Sequence, residues 1–141
     1  MNKVKLPEAA GAAVAVKTSL DASVLLGEWS NTNHSATGIA RLMLAQTENG
    51  IIIRVLGAGN PQPFDWGEAP AELFADLPEL NQAMSFTSFH DLEFMSVWLL
   101  AYVNKGVLVV VSLSRFQDNS GRSNYWDKEL FFRSREPDTV Q

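Results

Sequence analysis

Arg41 and Arg54 stand inside apolar runs, residues 39–45 and 51–56. A guanidinium among apolar side chains needs a carboxylate or an anionic ligand, because an unpaired buried charge is strongly unfavourable. If the two runs pair as strands, the two cations can stand side by side inside a barrel and hold a ligand carboxylate or phosphate. The plainer alternative is a solvent-facing position or an ion pair with Asp65 or Glu68. Those two carboxylates flank Trp66 in Asp65-Trp66-Gly67-Glu68. A paired acid and base needs both groups on one side. Residues three apart on a strand point to opposite faces, unless the chain turns after Gly67. Without that turn, the stretch is a structural loop whose Trp66 caps the core.

Other chemistries have thinner support. His34 and His90 are the only histidines, and neither belongs to a spaced ligand motif, so no metal site is expected. Residues 65–93 hold seven acidic residues and no Lys or Arg, which would repel anions or attract a cation weakly. No Gly-x-Ser-x-Gly elbow is present. His90 and Asp91 are adjacent, where strand geometry points them apart. Ser120-Gly121-Arg122-Ser123 fits a small anion nest, but a hairpin turn with Gly at positive φ explains it more simply.

These residues must be positioned by short strands. A chain of 141 residues, 46% of them hydrophobic, suffices for one domain with a real core. The net charge of −5 argues against nucleic acid and against an anionic membrane surface. The absence of cysteine excludes disulfides, zinc-thiolate sites and a thiol nucleophile. Lys3, Lys5 and the weakly apolar stretch 9–16, interrupted early by Glu8, make a poor export signal, so a cytoplasmic address is favoured while secretion stays open.

Alternation and turn residues place strands near 25–31, 39–45, 51–56, 64–74 with a break at Pro70, 84–90, 94–103, 107–116 and 124–133. Asn49-Gly50, Asn104-Lys105-Gly106 and Asp118-Asn119-Ser120-Gly121 read as turns. The expected organisation is a flexible arm over 1–23, an all-β barrel over 24–135 and a tail over 136–141. Eight strands joined by short connections favour a mostly antiparallel, up-and-down barrel.

The strands at 94–103 and 107–113 are apolar on both faces. Val97, Leu99, Ala101 and Val103 fall on one side of the first, with Phe94, Trp98, Leu100 and Tyr102 on the other. A strand with one face in water alternates apolar and polar residues. A covered outer face is therefore expected, by a second copy of the chain or by the N-terminal arm.

Gly27-x-Trp29 at the head of such a chain resembles the calycins, the lipocalin-type group of β-barrels. The resemblance implies that Trp29 plugs one end of the barrel beneath a basic residue of the last strand. Arg133 in Phe131-Phe132-Arg133 is the matching candidate and Arg115 the second. The later loop motif of lipocalins proper is missing. Trp29-Ser30-Asn31, Asp65-Trp66-Gly67-Glu68 and the run 115–125, with its Ser-Gly-Arg-Ser-Asn-Tyr core, also resemble an uncharacterised family of small bacterial proteins, which implies no activity.

The expected function is non-catalytic binding of a small, largely apolar ligand inside the barrel. Eight strands close around a space that fits side chains or one small ligand. Arg41, Arg54, Trp66, Arg115 and Tyr125 are the candidate ligand residues, and no cofactor is expected. The alternatives are a protein-interaction barrel with a filled core, or a small-barrel isomerase or cyclase. The expected partners are a small apolar or weakly acidic ligand and a second copy of the chain, joined as a homodimer through 94–103 and 107–113.

Overall fold

Alternating apolar side chains, β-branched runs and short turns leave the chain one way to satisfy its backbone without exposed edges, which is to close a sheet on itself. A computed structural model describes residues 20–59 and 64–137. Its strands are β1 (Gly27–Asn31), β2 (Ile39–Thr47), β3 (Gly50–Gly57), β4 (Phe64–Ala75), β5 (Ala83–Asp91), β6 (Met95–Asn104), β7 (Val107–Phe116) and β8 (Tyr125–Arg135). Each pairs antiparallel with the next and β8 pairs with β1, giving a closed up-and-down barrel of eight strands. This architecture is consistent with a calycin-like fold.

Two hairpins show how the turns set the register. Lys105 and Gly106 both have positive φ, 54° and 79°, between the paired residues Asn104 and Val107. Two successive left-handed residues match the twist of the flanking strands. At the β2–β3 hairpin the two turn residues are Glu48 and Asn49. Gly50 opens β3 at φ 120° opposite Thr47, so the glycine serves the strand entry.

Strand β4 departs from expectation in two places. Pro70 does not break it: the residue lies exposed within the strand, opposite Ile52. Gly67, at φ 82°, marks a bulge between the pairs Arg54–Glu68 and Leu56–Asp65. The extra residue restores Asp65 and Glu68 to one face, the outer one.

The barrel has two unlike ends. The end where β1 starts is closed by residues 20–26. Asp21 bridges to Gln82, its N–H donates to the Asn81 carbonyl at 2.6 Å, and Ala83 N–H donates back to Asp21 at 2.8 Å. Ala22 and Leu25 are buried against the core, and burying a Leu fully is worth about 1.5–3 kcal/mol. The last residues of the expected arm are thus bound into the barrel, while 1–19 lie outside the described residues. The interior here is apolar and includes Trp29, Leu44, Ile53, Leu73, Phe86, Leu108 and Phe131.

The opposite end is formed by the last residues of β1, β3, β5 and β7 and the first of β2, β4, β6 and β8. Here the buried inner wall turns polar, with Asn31, Ser88, His90 and Ser114 among its members.

The outer wall of β5–β8 carries apolar residues in rows. Cross-strand pairing sets Phe89, Trp98, Leu113 and Trp126 abreast. A second row runs through Leu100 and Val111, and a third through Tyr102, Val109 and Leu130. Trp98, Leu113 and Trp126 are each more than half exposed.

Candidate functional site

The polar end of the barrel is built around His90 and Trp66. Ser88 and His90 lie two apart on β5 and so share the inner face. The Ser88 hydroxyl and His90 Nε2 are 2.8 Å apart and share one hydrogen bond, with the imidazole tautomer setting which group donates. His90 is 3% exposed. Burial disfavours its charged form and lowers its pKa to about 4, so the ring is neutral at pH 7. Trp66 packs edge-on against it, with ring centroids 5.5 Å apart at 66°.

Trp66 owes its place to two glycines. The bulge at Gly67 turns its side chain inward from β4, and Gly57 makes room for the ring. A Cβ on Gly57 would lie 2.7 Å from Trp66 Nε1. The indole ring is half-buried.

Across the barrel, Asn31 ties three strands together. Its Nδ2 donates to the Ile39 carbonyl at 2.9 Å and to the Glu129 carboxylate, and its Oδ1 accepts from Asn33 N–H at 2.8 Å. Gly38 stands beside it, where a Cβ would lie 2.9 Å from Glu129 Oε1 and push that carboxylate aside. Asn31 is therefore a structural post at the rim. Among the described residues no group of three or more potential metal ligands comes together.

The arginines expected inside lie outside. Arg41 is exposed on β2 and pairs with Glu28 of β1 at 3.1 Å. Arg54 is exposed on β3 and holds Asp65 in a two-bonded ion pair. Its guanidinium keeps the Asp65 carboxyl below the usual carboxylate range, helped by the Gly67 N–H. Apolar neighbours on both sides in sequence leave the face of either residue open. Each stands between inward neighbours, Leu42 beside Arg41 and Ile53 and Val55 about Arg54, so the wall itself turns the charge outward. This placement removes them as anchors for a ligand inside the barrel.

Arg115 and Tyr125 come together elsewhere, at a groove of about 710 Å³ on the outer wall. The connection between β7 and β8 stands beside this groove as a rigid rim. Arg122 lies over the Phe116 ring, with Cζ 3.9 Å from its centroid, and bonds to Asp118 at 2.7 Å and to the Ser120 hydroxyl at 2.9 Å. Tyr125 stacks on Phe116 at 5.9 Å. Hydrogen bonds from Ser120, whose N–H donates to Asp118 Oδ1 at 3.1 Å, and then from Arg122 lower the pKa of the Asp118 carboxyl to about 2. They account for Ser120-Gly121-Arg122 as a loop clamp.

The remaining pair, Trp29 and Arg133, meets at the closed end. Trp29 is 2% exposed and its Nε1 donates to the Leu25 carbonyl at 2.9 Å. Arg133 stacks over its ring with Cζ 4.8 Å from the centroid.

Ser88 and His90 escaped sequence reasoning, which compared His90 with Asp91 instead of with its i−2 neighbour. The period of two in Ser88-Phe89-His90-Asp91 was the available signal. Comparison with protein-family models, with curated proteins and with solved structures finds no match.

Proposed function

We propose that the protein is a non-catalytic binding barrel that takes a small, largely apolar ligand through its polar end, where Trp66 and His90 form the rim of the site. The observation that carries this reading is the half-buried Trp66. Its indole N–H has no hydrogen-bond partner among the described residues, and it lies against a neutral imidazole over an apolar interior. Ligand sites are mostly apolar with a few placed polar groups, and this end supplies that combination. The stacked Trp29 and Arg133 at the other end support a calycin-like relationship. Catalysis finds no support in the pairing of Ser88 with His90. No carboxylate among the described residues bonds the second ring nitrogen, and a base with a pKa near 4 abstracts protons poorly. Native mass spectrometry of the protein as purified tests the reading. A co-purified small molecule that is lost from Trp66→Ala supports it, and retention of that molecule by the variant speaks against this site.

A second reading concerns assembly and rests on the apolar rows of β6 and β7. Leu100, Tyr102 and Leu113 are exposed beside Val111, a continuous surface of the kind that marks an interface. We propose a homodimer through residues 94–103 and 107–113, burying at least about 1,000 Å². Sedimentation at micromolar concentration should show a dimer for wild type and a monomer for Leu100→Lys. Wild type sedimenting only as monomer removes this reading.

A further inference from the structure

We propose that the groove on the outer wall beside the β7–β8 connection is a second binding site, taking a small planar aromatic carboxylate with its acid on Arg115 and its ring between Trp98 and Trp126. The groove holds about 710 Å³, within the range of small-molecule sites.

Three observations point to this occupant. The first is charge. Arg115 is the one charged residue lining the groove, and among the described residues no carboxylate lies within 4.0 Å of it. Of the other strand arginines, Arg41, Arg54 and Arg133 each have a carboxylate partner, and Arg135 at the end of β8 has none and lies away from this groove. In a chain of net charge −5 an arginine left without one is a specific attraction for an anion.

The second is a hydroxyl. Ser96 sits directly across from Arg115 in the β6–β7 ladder, lines the same groove and is 8% exposed. Its hydroxyl has no hydrogen-bond partner among the described residues. The hydroxyl is open to the groove and free to bond an occupant. Arg115 and Ser96 together offer the planar fork and the additional donor that suit the two oxygens of a carboxylate.

The third is the wall. Trp98 and Trp126 are 56% and 66% exposed on either side of Leu113. Phe89 packs on Trp98 with centroids 4.5 Å apart and fixes the near side. Flat aromatic surfaces on a rigid sheet favour a flat apolar ligand, and offset stacking supplies attraction beyond area burial.

The site is separate from the one proposed inside the barrel, and the four tryptophans tell them apart; its Ser96, Trp98 and Leu113 also belong to the face proposed for the dimer, so the ligand and a second copy of the chain compete for it. The experiment is a titration of the full chain with 2-naphthoate and, as the neutral match, 2-naphthalenemethanol, followed by the indole N–H signals in two-dimensional NMR. Signals are assigned by single Trp→Phe variants. The expected result is saturable movement of the Trp98 and Trp126 signals by the acid, with the alcohol roughly tenfold weaker. Arg115→Met should bring the acid down to the alcohol. Ser96→Ala should weaken the acid alone, by a few-fold. Equal binding of acid and alcohol, an acid preference that survives in Arg115→Met, or movement confined to Trp66 would each overturn the proposal. Movement of Trp66 alone would leave the interior site standing.

Discussion

The Arg133 guanidinium lies over the Trp29 ring and also donates to the Val24 carbonyl, so one side chain clamps the closing segment to the plug it covers. The two residues are directly paired across β1 and β8. Trp29→Ala should destabilise the protein by about 3–5 kcal/mol, as for other buried aromatics cut to alanine. Arg133→Met loses the cation–π contact, roughly 0.5–2 kcal/mol, together with the carbonyl bonds. Urea unfolding of both variants checks this. A loss below about 1 kcal/mol for Trp29→Ala would remove its role as a plug.

His90 predicts an acid-sensitive fold. The unfolded chain protonates this imidazole below about pH 6.5, whereas in the folded barrel burial delays protonation to about pH 4. Stability therefore falls as pH drops from 6.5 to 4, ending roughly 3 kcal/mol lower. His90→Gln should flatten that window in a series of urea midpoints against pH. The limb below pH 4 should remain, because Asp21 and Asp65 have carboxyls held below their usual range. Their stabilising contribution is present above the unfolded carboxylate pKa and lost as pH falls through the folded one.

Arg54 should matter little. Its pair with Asp65 is exposed, and exposed pairs are worth about 0–1 kcal/mol. Arg54→Met should shift the urea midpoint by no more than that and leave ligand affinity unchanged. A loss of about 3 kcal/mol would instead indicate a buried pair.

Gly57 tests how Trp66 is held. A Cβ there would lie 2.7 Å from Trp66 Nε1, so Gly57→Ala must displace either the indole or the β3 backbone. The expected result is a displaced Trp66 indole signal and a destabilisation of about 1–3 kcal/mol, typical of overpacking. An unmoved signal would mean that the backbone yields instead.

The fold was legible because it rests on local signals. The apolar run 94–103 and the turn at Asn104-Lys105-Gly106 mark a strand and a hairpin from neighbours alone. The two sets of side chains on β6 were separable, but not which set faces inward: both are apolar, and only the closed barrel buries Val97, Leu99 and Ala101 and leaves Trp98, Leu100 and Tyr102 outward. The faces of β2 and β3 were no more legible. Apolar residues fill both sides of the run 51–56, so the side taken by Arg54 depends on closure of the barrel. The Gly67 bulge was equally hidden. It adds one residue to β4, reverses the faces beyond it, and thereby brings Asp65 to Arg54 and Trp66 to His90. The groove at Arg115 needs side chains from four strands and a connection, which no single stretch of sequence places together.

The central claim is that a small apolar ligand enters at the end guarded by Trp66. Titration of the purified protein with 1-octanol, read at the four indole N–H signals, tests it most directly. The account predicts saturable movement of the Trp66 signal, with Trp29 unmoved at the closed end. A Trp66 signal that stays fixed at every octanol concentration would contradict it.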